Sequence, residues 1–452
     1  MGLLETFFGA GFAERVADGD ELTLGLIGTV ILLVLVLLGV RVVYATAVVG
    51  LIGLVAMLGW GGGAGNAGMV PYAKATIYSL SVLPMFILIG FLAYHAGMTE
   101  ALFEAAKRWF GWVPGGLAVA TVFATAGFAA VSGASTATAA VFSRVAIPEM
   151  LRHNYSPRLA AGVVAAGGTL ASLIPPSAIL VIYAIIVEES IGRLLVAGFI
   201  PGVVSAIIYA LLIIFMAKRN PQLGPPIRGY SFADKVKSVP GTLPVVFVIV
   251  IIFTSMYTGW ATPTEAGALG SFVVFVMALM GGMKWPTLKA ALMETARLTV
   301  MIFSLIWGVL IFVRFMGFVE LPSMFAEWIT SLDMPPTLIM ICILLFYVIL
   351  GMFMDAIGML LLTLPVVYPA VIALGYDPIW FGIVVVKMCE VCLITPPIGL
   401  NCYVVAGVRP DIPLQDVFKG IGPFFIADVI TLGVFLAFPA VITWLPDLML
   451  QR

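Results

Sequence analysis

Few residues in this 452-residue chain combine polarity with a place inside long apolar stretches, and they gather in two clusters. The first holds Ser132, Gly133, Ser135, Thr136 and Thr138, with Pro175, Pro176 and Ser177 further along. The second holds Gly351, Asp355 and Gly358, followed by Thr395, Pro396, Pro397, Gly399 and Asn401. Hydroxyls and backbone carbonyls released from helical pairing suit a hard monovalent cation such as Na⁺, while free N–H groups at the start of a half-helix suit a carboxylate. On that chemistry the candidate Na⁺ ligands are Ser132, Gly133, Ser135, Thr136, Gly351, Asp355, Gly358, Thr395 and Gly399. The candidate substrate contacts are Ser135, Thr138, Pro175, Pro176, Ser177, Asp355, Pro396, Pro397 and Asn401. Asp355 stands out, because a carboxylate deep in an apolar segment costs about 2.5–3.5 kcal/mol on the insertion scale and normally faces an ion path. Its competing role is a cap for backbone N–H groups, and the small residues of the first cluster compete as close-packing positions.

The proline pairs belong to a pattern that occurs twice without a gap. Pro148, Tyr155, Pro157, Pro175 and Pro176 recur as Pro369, Tyr376, Pro378, Pro396 and Pro397, each offset by 221 residues. The chain is therefore an internal duplication. Proline removes a helical donor and clashes with the preceding turn, so Pro-Pro within an apolar segment forces a break. In lipid such a break survives only against protein or a wet cavity, and a duplicated pair of interrupted helices points to the binding site of a secondary transporter.

The elements that must hold these clusters are membrane helices. Hydrophobic residues make up 62% of the chain and charged ones 10%, with a mean hydropathy of +1.16, which predicts an all-α polytopic membrane protein. The net charge of −1 argues against a nucleic-acid partner. At about twenty apolar residues per span, full spans are predicted near 22–40, 42–60, 77–97, 193–216, 243–259, 265–282, 298–318 and 422–444, with broken spans at 159–187 and 380–408. Residues 114–151 and 336–373 are interrupted near their middles. Each arm is about fifteen residues, roughly 23 Å of helix and short for a core of about 30 Å, so both are predicted to be re-entrant hairpins.

The domains expected are N-terminal crossings in 1–62, repeat one at 77–217, a connecting scaffold at 218–297 and repeat two at 298–444. Five crossings separate the span at 77–97 from its counterpart at 298–318, and an odd number inverts the second copy. With the N-terminus outside, sixteen of the 22 basic residues fall on the cytoplasmic side, among them Arg144, Arg228 and Lys235, while Arg15, Lys74, Arg193 and Arg452 stay outside as the positive-inside rule requires. Residues 100–112 and 285–298 divide aromatic from charged positions, as interfacial helices do and as amphipathic helices packed on protein do equally.

Other polar residues receive plainer readings. Lys387 and Glu390, three apart on one helix, read as a buried structural pair, and Arg314 as a snorkelling cation. His95 and His153, near span ends, carry no assigned role. Cys389 and Cys392 have redox spacing but lie within an apolar span, where small core residues are the simpler account. Glu5, Glu14, Asp18, Asp20 and Glu21 precede the first apolar run, unlike the basic start of a cleavable signal peptide. A nucleotide-binding glycine loop ending in Lys-Ser/Thr is not found, which argues against an ATP-driven pump.

At these residues the chain resembles the large membrane subunit of tripartite ATP-independent periplasmic (TRAP) transporters. The matching stretches include SGASTAT from Ser132 to Thr138, IPEM from Ile147 followed by NYSP from Asn154, LIPPS from Leu173, GMFMD from Gly351 and ITPPIGLN from Ile394 to Asn401. The resemblance covers about residues 22–440, with Ala134 a departure where the family commonly carries a second serine. It implies a Na⁺-coupled importer of an organic anion, often a carboxylate, in the bacterial inner membrane. It further implies an elevator in which the hairpins and broken helices move against a fixed scaffold, and two partners: a small four-helix membrane subunit and a periplasmic substrate-binding protein. No cofactor is expected beyond the coupling ion. A stand-alone divalent-anion symporter of the related superfamily is the alternative. A membrane enzyme using Asp355 and Glu390 as acid and base fits less well, since no His, Cys or metal-ligand constellation accompanies them.

Overall fold

The computed structural model describes residues 21–450 apart from position 228, with backbone only at 74, 75 and 450. The expectations for the acidic N-terminal segment, its orientation, Arg15, Arg228 and Arg452 lie outside the described residues. Within them all regular structure is helical. In chain order the helices are α1 (Glu21–Leu37), α2 (Val42–Ala75), α3 (Val82–His95), α4 (Met98–Phe110), α5 (Gly116–Ser132), α6 (Ser135–Arg152) and α7 (Pro157–Thr169). Next come α8 (Ala178–Val187), α9 (Ile191–Arg219), α10 (Phe232–Ser238), α11 (Leu243–Tyr257), α12 (Pro263–Met280) and α13 (Trp285–Phe318). The last are α14 (Leu321–Ser331), α15 (Pro336–Gly351), α16 (Ala356–Ala373), α17 (Pro378–Ile394), α18 (Leu400–Val408), α19 (Leu414–Ala437) and α20 (Ala440–Leu450).

Eight helical stretches among the described residues are long and apolar enough to cross a membrane: Val42–Ala73, Tyr78–His95, Ile191–Arg219, Phe232–Tyr257, Pro263–Met280, Trp285–Phe318, Ala356–Ala373 and Leu414–Ala437. The protein is thus a multi-pass membrane protein. Several boundaries differ from expectation: Ala356–Ala373, an arm of the second predicted hairpin, is itself long enough to cross, whereas Glu21–Leu37 is shorter than the full span expected there. Residues 285–298 are not a separate interfacial helix but the first turns of the 34-residue α13, because nothing between Trp285 and Phe318 except Pro286 in the first turn interrupts helical pairing. The second N-terminal helix runs on well past residue 60, bending at Gly59, whose φ of 70° and ψ of 172° leave the helical region.

The chain divides into two compact units. One comprises Met1–Ile77, Val300–Phe346 and Ile357–Asp377. Here glycines let helices approach, as where Phe315 lies against Gly28 and Gly53 and the backbone at Phe312 against Gly50. Arg314 is exposed and lines a depression with Val70 and Ala73, consistent with a charged head kept out of the apolar core.

The other unit comprises Tyr78–Thr299, Tyr347–Ala356 and Pro378–Arg452 and contains both proline-pair breaks. Every residue from Leu159 to Thr169 of α7 and from Ile379 to Ile394 of α17 is buried. A helix enclosed on all sides can end in mid-membrane, because protein rather than lipid meets its unpaired backbone groups. Between α7 and α19 the backbones themselves touch: a Cβ on Gly162 would strike the Gly420 carbonyl, and one on Gly420 the Arg158 carbonyl. Arg158 and Asp416 pair at 2.8 Å between the same two helices.

The amphipathic helix expected near 100–112 is α4. It docks on α6 through Lys107, whose Nζ lies 2.7 Å from Glu104 and 3.1 Å from Glu149. Burial works against the Glu104 charge, but hydrogen bonds from Lys107 and Arg108 outweigh it and hold the carboxyl below its ordinary pKa.

Candidate transport site

Helices α5 and α6 form a hairpin whose turn is Gly133-Ala134. Gly133 has a φ of +60°, a conformation that disfavours a side chain, and a Cβ there would also strike the Pro176 carbonyl. Ala178 N–H donates to Gly133 O at 3.4 Å. The hairpin tip is therefore seated on the first break, bringing Ser132, Gly133, Pro175, Pro176 and Ser177 into one place. Position 90 on α3 closes the other side, with the Ser132 Cα only 2.7 Å from where a Cβ on Gly90 would lie.

The hydroxyls at the tip are not equivalent. Thr138 donates to Ala134 O at 2.9 Å and lies 3.0 Å from Ser132 Oγ, so Ser132 donates to Thr138 and the two close the turn. Ser177 donates to Ser172 O and accepts from Leu180 N–H, capping α8. Ser135 and Thr136 open α6, whose first N–H groups carry the positive end of the helix dipole. Ser172, passed over in the sequence because it precedes the proline pair, is fully enclosed with no partner for its own hydroxyl among the described residues.

At the second break α17 ends at Ile394 and α18 begins at Leu400 after Gly399, whose φ is +47°. Both proline-pair peptides, Pro175-Pro176 and Pro396-Pro397, are cis. Thr395 Oγ1 donates back to Val391 O at 2.6 Å. Asn401 is wholly buried; its Nδ2 donates to Ala165 O of α7 at 3.2 Å while its Oδ1 has no partner among the described residues. Through α18, which packs on α6 and α7, the second break adjoins the first hairpin and the first broken helix.

The turn after α15 holds Gly351 and Asp355 and lies on α17. Gly351 abuts Cys392, whose Sγ approaches Tyr347 O at 3.5 Å, and Cys389 Sγ lies 3.8 Å from Ala356 O. The two thiols thus serve as small packing groups under this turn. Asp355 is half-buried and immediately precedes α16, a position from which a carboxylate can cap helix N–H groups. Gly358 lies in the first turn of α16.

Beside the first hairpin tip is a cavity of about 170 Å³ lined by Gly90, Tyr94, Ser132, Ala134, Arg144 and Glu294 among others. Arg144 Nη1 reaches Tyr94 Oη at 3.5 Å, and Glu294 pairs with His95 at 3.1 Å. The sequence counted Arg144 as a cytoplasmic charge. Its place on one face of α6 with Ala137, Ala140 and Val141, three to seven residues before it, was the available signal, since residues at such spacings share a helix face.

Comparison with known proteins gives a consistent result. The solved YdaH transporter of Alcanivorax borkumensis aligns with a TM-score of 0.52 at 12% identity over 80% of this chain and 86% of its own. Neisseria gonorrhoeae MtrF aligns with a TM-score of 0.52 at 13% over 82% and 84%. These likenesses concern the fold. In sequence, the C4-dicarboxylate TRAP transporter large permease protein DctM of Pseudomonas aeruginosa is 33% identical over 82% of this chain and 86% of its own. The sialic acid TRAP transporter large permease protein SiaM of Vibrio cholerae is 31% identical over 82% and 87%. The 2,3-diketo-L-gulonate permease YiaN of Escherichia coli is 31% identical over 81% and 86%. The model of the tripartite ATP-independent periplasmic transporter DctM component matches residues 29–441. Its relatives are permeases rather than enzymes, and the chain belongs to the large-permease (DctM) family of tripartite ATP-independent periplasmic transporters.

Proposed function

We propose that the chain is the membrane permease of a tripartite, Na⁺-coupled importer of an organic anion, working by elevator-type alternating access between two inverted repeats. It acts with a small four-helix membrane subunit and a periplasmic binding protein, in the inner membrane with its N-terminus outside. The observation that carries the reading is the hairpin tip seated on the first break beside a cavity holding Ser132 and Arg144. Half-helix N-termini at Ser135 and Ala178, together with the Arg144 guanidinium, supply what a carboxylate needs. The C-terminal ends of α5 and α17, with Asp355, supply what Na⁺ needs. The relatives named for C4-dicarboxylate, sialic acid and 2,3-diketo-L-gulonate are all named for organic acids, which supports a carboxylate cargo here.

Reconstituted uptake tests this reading. Proteoliposomes containing the chain and its small subunit should accumulate succinate or another carboxylate only with a cognate binding protein and an inward Na⁺ gradient. Arg144→Gln should cut uptake by tenfold or more, because a charge-assisted hydrogen bond is worth about 1.5–3 kcal/mol. Uptake indifferent to Na⁺ would sink the coupling, and robust Na⁺-driven uptake by the chain alone would favour the stand-alone symporter.

A further inference from the structure

Away from the hairpin tips, α17 carries Lys387 and Glu390, α19 carries Asp428, and α9 carries Ser205 and Tyr209; all five side chains are fully buried. Lys387 Nζ lies 2.6 Å from Glu390 Oε2 and 2.7 Å from Asp428 Oδ1. It also reaches Ser205 Oγ at 3.4 Å and stands 5.5 Å from the centre of the Tyr209 ring. Tyr209 donates to Asp428 Oδ1 at 2.6 Å. The pair read from the sequence is real, but a third charge from a helix further along the chain joins it. The remaining oxygens, Glu390 Oε1 and Asp428 Oδ2, are enclosed and have no partner among the described residues. The Thr169 hydroxyl of α7 also faces the cluster, against Tyr209, while the Cys389 thiol, next to Glu390 along α17, turns toward Ala356 O.

One ammonium and two carboxylates, all ionised, would leave one uncompensated negative charge inside a helical core. Buried charge is tolerated only when paired, and an unmatched carboxylate oxygen is costly. The cluster therefore calls for one more positive charge. Two free oxygens are enough to hold a proton, whereas the divalent cations Ca²⁺ and Mg²⁺ take six or more oxygen ligands. We propose that Lys387, Glu390 and Asp428 form a proton-binding site, in which one proton resides on the two carboxyl groups and leaves the cluster neutral. The site lies on the helix that leads into the Pro396-Pro397 break, so its occupancy bears on the same element as the second candidate cluster. It is separate from the cavity and independent of the Na⁺ reading.

The test uses the purified full-length chain in detergent at neutral pH. Infrared difference spectra in H₂O and D₂O should show a protonated-carboxyl stretch that is lost in Glu390→Gln or in Asp428→Asn. Unfolding the wild type in a lightly buffered neutral medium should release one proton more than unfolding the variant that lost the band, because exposed carboxyls ionise at that pH. If either substitution prevents folding, the wild-type proton count still decides: no proton released overturns the proposal. Melting temperatures that rise with Na⁺ in the wild type and not in the variants, without proton release, would also overturn it and give the site to a metal cation.

Discussion

Gly133 carries the greatest structural burden of any single position in the candidate site, since its backbone conformation and its contact with the Pro176 carbonyl both exclude a side chain. Gly133→Ala should lower the melting temperature by more than the roughly 1 kcal/mol of an ordinary glycine replacement and abolish uptake. A variant that melts and transports like the wild type would detach the hairpin tip from the break. Asp355→Asn and Ser135→Ala test the ion assignment. Each should raise the Na⁺ concentration for half-maximal uptake roughly tenfold if the lost ligand is worth about 1.4 kcal/mol, with stability measured alongside because Asp355 sits where a cap would. Prolines, glycines and hydroxyls were legible in the sequence because their effect is local: the Pro175-Pro176 pair and Gly133 break or turn the chain where they stand, although single prolines such as Pro148 and Pro369 stay within helices. Asp428 was not, because it becomes meaningful only through Lys387 and Tyr209, the latter 219 residues away. The division of labour among the hydroxyls was equally hidden. Ser132, Thr138 and Ser177 have the same chemistry as Ser135, yet folding commits them to the turn and to the α8 cap.

Among the elements, α4 depends most visibly on charge. Its Glu104 carboxyl has a lowered pKa in the fold, so the stabilisation is fully present above the ordinary carboxylate pKa of about 4.3 and is lost as pH falls through the lowered value. The side chain is 39% exposed, which limits the effect to no more than about 1 kcal/mol. Hydrogen exchange in α4 should accelerate over that acid range in the wild type and show no such step in Glu104→Gln; identical profiles would remove the ion pair from the account of docking. Element boundaries were legible where a residue type marks them, as at Pro157, Pro378 and the glycine turns. They were not where one helix simply continues: 285–298 has the amphipathic pattern of an interfacial helix, but covalent continuity with the apolar run after it makes both parts of α13. Helix α14, with Phe325 and Trp328 on an 11-residue stretch, escaped notice because it is too short to resemble a span.

For the whole molecule the test is sidedness. In a Cys342→Ala background, which removes the one exposed cysteine, cysteines placed near Lys235 should label only from the cytoplasm and those near Glu188 or Ser331 only from outside. Labelling of the Lys235 and Ser331 regions from one side would undo the odd count of crossings on which inverted repeats rest. The recurrence of the prolines in an unbroken register of 221 residues could be seen without any structure; grouping into two compact units could not, since each is assembled from separated stretches. The contact of α7 with α19 has a consequence for how such a protein can diverge. Residues 162 and 420 face each other's main chain, so enlarging one cannot be rescued by shrinking the other, which has no side chain to give up. In a saturation library selected for growth on the transported solute, this pair should behave as a double lock, with single and paired replacements alike missing from the survivors, while the exposed Gly65 and Gly68, which have open space around them, drift freely.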